Sequence, residues 1–149
     1  MKIYRSYSSE ETKLFARKIA EKVLRAGPKN SGATVFALTG ELGSGKTTFI
    51  QGFLRGMGVV RGGASPTFIL MRRHAIRGKF KSVYHIDTYR IKNPGEFLKL
   101  DFKEILADPK NIILIEWAEK VKKILPKNAI WLRFHHGRGE EDRRVSFKI

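Results

Sequence analysis

Apolar positions Leu14, Phe15, Ile19, Val23 and Leu24 recur at helical spacing and predict a helix over residues 9 to 26. Ser8 followed three positions later by Glu11 is a capping-box signature for its start, and Gly27-Pro28 supplies the stop. Before it, residues 2 to 7 alternate weakly, as an edge strand does. Ala33 to Thr39 (ATVFALT) is a short, nearly continuous apolar run, the pattern of a strand covered on both faces. A second amphipathic helix follows, with Phe49, Ile50, Phe53, Leu54 and Met57 on one face and Gly58 as its terminator.

Thr67 to Ile76 and Phe80 to Ile86 read as the two arms of a β-hairpin turning at Arg77-Gly78-Lys79. A second hairpin joins Ile130 to His135 with Arg144 to Ile149 through a loop holding Gly137 and Gly139. Between them, Asn93-Pro94-Gly95-Glu96 has a capping Asn, Pro at the first helical position and Glu at the third, which predicts a short helix. Asn111 to Ile115 (NIILI) is another buried-strand candidate, and residues 118 to 125 (AEKVKKIL) predict a short amphipathic helix ending before Pro126. No repeat, low-complexity tract or Gly/Ser-rich linker divides the chain. The expectation is one α/β domain over residues 1–149, a mixed, mostly parallel sheet flanked by helices and carrying β-hairpins.

Charge changes this picture of an ordinary fold. Thirty Lys and Arg against 14 Asp and Glu give a net charge of +16, a field that favours polyanions. Residues 61 to 99 hold nine basic and two acidic side chains, so the middle of the chain is the expected basic face. The competing account is a solvated surface in a basic proteome. There is no cysteine, which excludes disulfides, thiolate metal sites and cysteine nucleophiles. No apolar run approaches the roughly 20 residues needed to cross a bilayer, and the N-terminus lacks a secretory h-region, so a soluble, cytoplasmic protein without membrane contact is expected.

The strongest chemical signal is Gly40-Glu41-Leu42-Gly43-Ser44-Gly45-Lys46-Thr47, which matches G-x-x-x-x-G-K-[ST] between a buried strand and an amphipathic helix. Gly40, Gly43 and Gly45 permit the torsions that turn successive N–H groups inward as a nest for phosphate oxygens. Lys46 brings a point charge to the β and γ phosphates, and the Thr47 hydroxyl is a magnesium ligand. Ser44 and Thr48 complete the nucleotide-binding stretch. The guanine-selective N-K-x-D and the D-x-x-G switch are absent, which favours ATP. Asp87 and Glu116 end strand-like runs, and ligands of open α/β sheets gather at the carboxyl ends of strands. Either carboxylate is a candidate to hold magnesium through water or to orient the attacking water; for each the plainer reading is a strand-end cap.

GELGSGKTT (40 to 48), Ser65-Pro66-Thr67, His85-Ile86-Asp87-Thr88-Tyr89-Arg90 and Ile115-Glu116-Trp117 together resemble the TsaE family, the bacterial ATPases of tRNA threonylcarbamoyladenosine biosynthesis, in order and approximate spacing over nearly the whole chain. The resemblance implies a small P-loop NTPase fold that binds ATP and Mg2+ and works with the TsaB and TsaD proteins on the adenosine beside the anticodon. Its weak ATP hydrolysis is stimulated by those partners. By motif position Lys46 and Thr47 correspond to the phosphate and magnesium residues, Glu116 to a magnesium or water-positioning acid, and Asp87 to the acid of the H-x-D-x-Y-R box. Thr67 resembles a switch residue that senses the γ phosphate. Trp117 is similar to a tryptophan near the nucleotide, and Thr12 and Arg144 are further nucleotide-contact candidates. The sequence departs from the family at Ala118, where proline usually follows E-W, and in its strongly basic charge, which raises a tRNA contact of its own.

Two other functions share these features: a small-metabolite kinase, and a basic RNA-binding module that uses ATP as a structural ligand. For His85 the residue pattern favours a satisfied core histidine over a catalytic base.

Overall fold

A computed structural model describes residues 1–60, 71–98 and 101–148. Its centre is β2 (Thr34–Gly40), with β5 (Asn111–Glu116) beside it and β4 (Ser82–Asp87) next beyond β5, three strands whose residues are mostly shielded from solvent. The seven-stranded sheet has the order β1-β7-β6-β2-β5-β4-β3, completed by β1 (Lys2–Ser6), β3 (Met71–Ala75), β6 (Ile130–His136) and β7 (Arg143–Phe147). Strands β6, β2, β5 and β4 are parallel; β1 and β7 at one edge and β3 at the other pair antiparallel. The mixed sheet with a parallel centre and two hairpins is the architecture expected from the pattern.

One face of the sheet is covered by α1 (Ser9–Ala26) and α2 (Lys46–Gly56). The Ser8 side chain accepts from Glu11 N at 3.1 Å while the Glu11 carboxylate accepts from Tyr7 N at 2.8 Å, so the start of α1 is capped from both directions. Gly52 and Gly56 let the two helices touch: a Cβ at Gly52 would lie 2.4 Å from the Lys13 carbonyl oxygen, and one at Gly56 2.7 Å from Ala20 Cβ. Phe15, Phe49, Phe53 and Phe134 fill the layer beneath with tilted and edge-on ring contacts.

The second face, over β2, β5 and β4, is covered by α3 (Pro94–Leu98), α4 (Phe102–Ala107) and a 3-10 helix (Ala118–Ile124). Three differences from the sequence pattern have physical causes. Residues 118 to 124 wind as a 3-10 helix because it starts from a left-handed Trp117 (φ 58°) and breaks at Val121 (φ −121°). The first hairpin turns about Arg77-Gly78-Lys79 as expected but through a longer loop: strand pairing ends at Ala75 with Ser82, and Phe80, 1% exposed, leaves the ladder to enter the core. Helix α4 has no counterpart in the sequence reading; it is six residues long and opens on a left-handed Asp101 (φ 56°).

Candidate functional site

The turn from β2 into α2 is built by glycine. Gly40, Gly43 and Gly45 have φ of 142°, 74° and 106°, which side chains rarely tolerate. At Gly40 a Cβ would also stand 2.6 Å from the Phe134 carbonyl oxygen and 2.7 Å from Ser44 Oγ, so two constraints select the same residue. Helix α2 begins at Lys46, leaving the N–H groups of its first turn without intrahelical acceptors at the mouth of the loop. Ser44 Oγ is buried without a hydrogen-bond partner among the described residues.

Lys46 is 5% exposed. Its ammonium donates to the carbonyls of Gly40 and, at 3.1 Å, Glu41, and it stands 4.1 Å from the centroid of the Trp117 ring. Burial lowers its pKa below the ordinary lysine value, opposed by the negative charges of Glu116, Glu119 and Asp87. A phosphate would supply the counter-charge that the loop carbonyls replace only in part.

Thr47 Oγ1 donates to Glu116 Oε1 at 2.9 Å, and His85 Nε2 meets Glu116 Oε2 at 2.7 Å. The carboxylate is therefore clamped through both oxygens. Against it the histidine nitrogen donates, which puts the ring proton on Nε2; Nδ1 is buried without a partner among the described residues. Three elements meet here, although the residues are 31 and 69 positions apart in sequence. Parallel pairing of β4 with β5 sets Asp87 in register with Glu116. Val83 and Leu114 pack under α1 and α2, so strand alternation turns His85, Asp87 and Glu116 toward the same helices. Asp87 Oδ1 also accepts from Tyr89 N at 2.9 Å. A hydroxyl and carboxylates form the hard oxygen donor set that suits magnesium, and among the described residues no cluster of three His, Asp or Glu forms a cage of its own. The residues fit a cation that arrives with the phosphates.

Thr88 is a residue that the sequence reading quoted in its motif without a role. Its Oγ1 lies 2.8 Å from the Glu116 carbonyl and 2.7 Å from the Trp117 carbonyl, and its N–H donates to Glu116 O at 3.1 Å. These bonds hold Trp117 in its left-handed conformation, a strained state for a bulky residue. The Trp117 ring lies 5.0 Å from Tyr89.

A hollow of about 70 Å³ beside the loop is lined by Thr12, Gly45, Thr48, Ser9, Glu141 and Arg143. Thr12 and Thr48, both singled out in the sequence, thus share a wall. Thr12 is itself tied by a 2.6 Å bond to Ser6 Oγ. The neighbouring arginine is Arg143, whose Cγ would lie 3.5 Å from a Cβ at Gly45. Arg144 stands one position on and so faces the other side of the sheet, bordering a different hollow. No signal in the sequence separates these adjacent arginines; the register of β7 does. Ser65, Pro66 and Thr67, the proposed switch, lie outside the described residues.

The family model described as "Threonylcarbamoyl adenosine biosynthesis protein TsaE" matches residues 6–145. The chain belongs to the TsaE family. Its curated relatives include TsaE of Bacillus subtilis, named as a tRNA threonylcarbamoyladenosine biosynthesis protein, 31% identical over 144 residues that cover 97% of this chain and 83% of the relative. TsaE of Haemophilus influenzae is 37% identical over 113 residues, 76% of this chain and 68% of the relative. Among solved structures, the crystal structure of YdiB from Bacillus subtilis superposes with a TM-score of 0.72 at 26% identity, over 98% of this chain and 83% of that one. A TsaE assignment agrees with the resemblance carried by the motifs, and the chain thereby shares the P-loop NTPase-like fold of that structure. Among the described residues no helix is long and apolar enough to cross a membrane.

Proposed function

We propose that this chain binds ATP with Mg2+ at the loop from Gly40 to Thr48 and hydrolyses it in the cytoplasm, as the ATP-driven component of tRNA threonylcarbamoyladenosine synthesis, together with TsaB and TsaD. The observation that carries the reading is the hydrogen-bonded chain Thr47–Glu116–His85, buried at Glu116 and His85, at the first turn of α2. Glycine N–H groups and Lys46 receive the phosphates. Bound magnesium would supply charge neutralisation at the β and γ oxygens, held by the Thr47 hydroxyl and the Glu116 carboxylate. Glu116 also orients water toward the γ phosphorus and accepts its proton as the bond to ADP breaks, giving ADP and phosphate. His85 keeps that carboxylate aimed. Trp117 covers Lys46 and limits water around its charge. Stable pairing of this chain with TsaB and TsaD in the presence of ATP, and its weakening in Lys46→Ala, tests the assignment; equal co-purification with and without nucleotide speaks against an ATP-governed role.

A further inference from the structure

Among the described residues, no helix lies over half of the sheet's second face. Tyr4, Leu132, Phe134, Val145 and Phe147 point into the core beneath α1 and α2, so the alternate residues of β1, β6 and β7 point the other way. The 3-10 helix and its companions cover β2, β5 and β4 and, among the described residues, reach β6 only at the half-buried Trp131. Beyond that tryptophan the face presents a row set by strand register: Arg5 opposite Arg144, and Arg144 opposite His135. Arg133, two residues before His135, begins the next row. All four side chains are exposed.

Like charges directly opposite one another across strands disfavour pairing. Among the described residues none of these three arginines makes an ion pair. By contrast, charges on the hairpin within the stretch expected to be the basic face are partly engaged: Arg73 Nε donates to Ser82 Oγ at 2.8 Å, and Lys81 pairs with Asp108. Two adjoining hollows of about 420 and 500 Å³ share Thr39 and Arg133 on this face. One ends at Trp131 and Lys122, the other at His135 and Arg144, with Glu119 and Glu41 on their rims. The hollow at Arg144 also reaches Gly40 and Glu41, so it adjoins the outer side of the phosphate loop.

We infer that this open face of β6, β7 and β1 binds the backbone of a single RNA strand, with Arg5, Arg133 and Arg144 on phosphates and Trp131 as a stacking edge. Charge complementarity carries the polyanion assignment: an unpaired arginine row on a chain of +16. An aromatic edge beside a basic trough is how sequence-tolerant single-strand sites are built. The choice of RNA over another polyanion rests on the proposed place of this chain in tRNA modification.

Fluorescence anisotropy with a labelled 12-residue oligo(U) and an unmodified tRNA transcript tests it, using the full chain. Arg5→Gln/Arg133→Gln should weaken both by about tenfold and lower the salt slope by roughly 1.4, at about 0.7 per phosphate contact. Arg5→Lys/Arg133→Lys, which keeps the charges, should stay within about threefold of wild type. Lys18→Gln/Lys22→Gln, the same charge change on the exposed side of α1, should move binding by less than about twofold. ATP turnover measured on the same samples should be unchanged in Arg5→Gln/Arg133→Gln; a wild-type chain without turnover would contradict the proposed function and leave the RNA result readable. Equal weakening by the two Gln doubles overturns the local face. Displacement of the RNA by poly-aspartate as effectively as by unlabelled oligo(U) overturns the RNA assignment.

Discussion

Glu116→Gln isolates the charge of the clamped carboxylate from its shape. In the wild type Oε1 accepts from Thr47 and Oε2 from His85, and the residue is 3% exposed. Glutamine can satisfy both neighbours: its carbonyl oxygen accepts from His85 Nε2, and its amide donates to the Thr47 hydroxyl, which can reverse its role. Two charge-assisted bonds become neutral ones, a loss of about 1 kcal/mol each. Removal of a buried carboxylate's desolvation cost offsets part of this, so a net change within about 2 kcal/mol is expected. The chemical step behaves differently, because the amide cannot take a proton from water. A general base contributes about 10²- to 10⁴-fold, or roughly 3–5 kcal/mol of barrier. Steady-state phosphate release in the presence of TsaB and TsaD, alongside thermal melting and nucleotide titration, should therefore show a kcat down at least about a hundredfold in a folded protein that still binds ATP. A kcat within about threefold of wild type would refute the role given to Glu116 and turn attention to Asp87, its register neighbour.

Lys46→Ala and Thr47→Ala should both lower turnover, but excess magnesium should partly restore only Thr47→Ala, because of these two residues only Thr47 is assigned to the metal; titrating magnesium against turnover reads the difference. Lys46, with its pKa held below 10.5 by burial, is more easily deprotonated folded than unfolded. The unfolded chain therefore binds more protons between the folded pKa and 10.5, and the contribution of Lys46 to stability rises with pH across that window. The melting temperature of the wild type should thus gain on that of Lys46→Met as pH is raised from 7 to 10 without nucleotide; a constant difference contradicts the buried-cation account. Gly52→Ala should cost about 3 kcal/mol, since its Cβ meets the Lys13 backbone at 2.4 Å rather than a movable side chain, and differential scanning calorimetry should show melting roughly 6–12 °C lower.

What the sequence made legible follows from how local each cause is. The Ser8–Glu11 cap, the apolar stripe of α1 and the glycines of the phosphate loop act within a few residues, and each occurs where the pattern set it. The identities of Glu116 and Asp87 could also be read, as acids at strand ends. Their shared face, and the histidine between Glu116 and the core, depend on parallel register between strands separated in the chain by a helical excursion. Local periodicity carries no record of that register. His85 shows the consequence: the core reading was right about its complete burial, yet its hydrogen bond goes to the proposed catalytic acid. Arg143 and Arg144 differ only by strand phase, which the sequence leaves undetermined. Helix α4 escaped because six residues give fewer than two turns of periodicity, and its left-handed opening at Asp101 has no familiar cap signature.

The central claim is that ATP turnover belongs to the clamped carboxylate beside the phosphate loop and serves the modification machinery. Its most direct measurement is magnesium-dependent phosphate release from ATP by the purified chain, alone and with TsaB and TsaD, in wild type and Lys46→Ala. The account predicts slow release by the chain alone, stimulation by the two partners and loss of both in the variant. Release that persists in Lys46→Ala, or a wild-type rate indifferent to the partners, would contradict it.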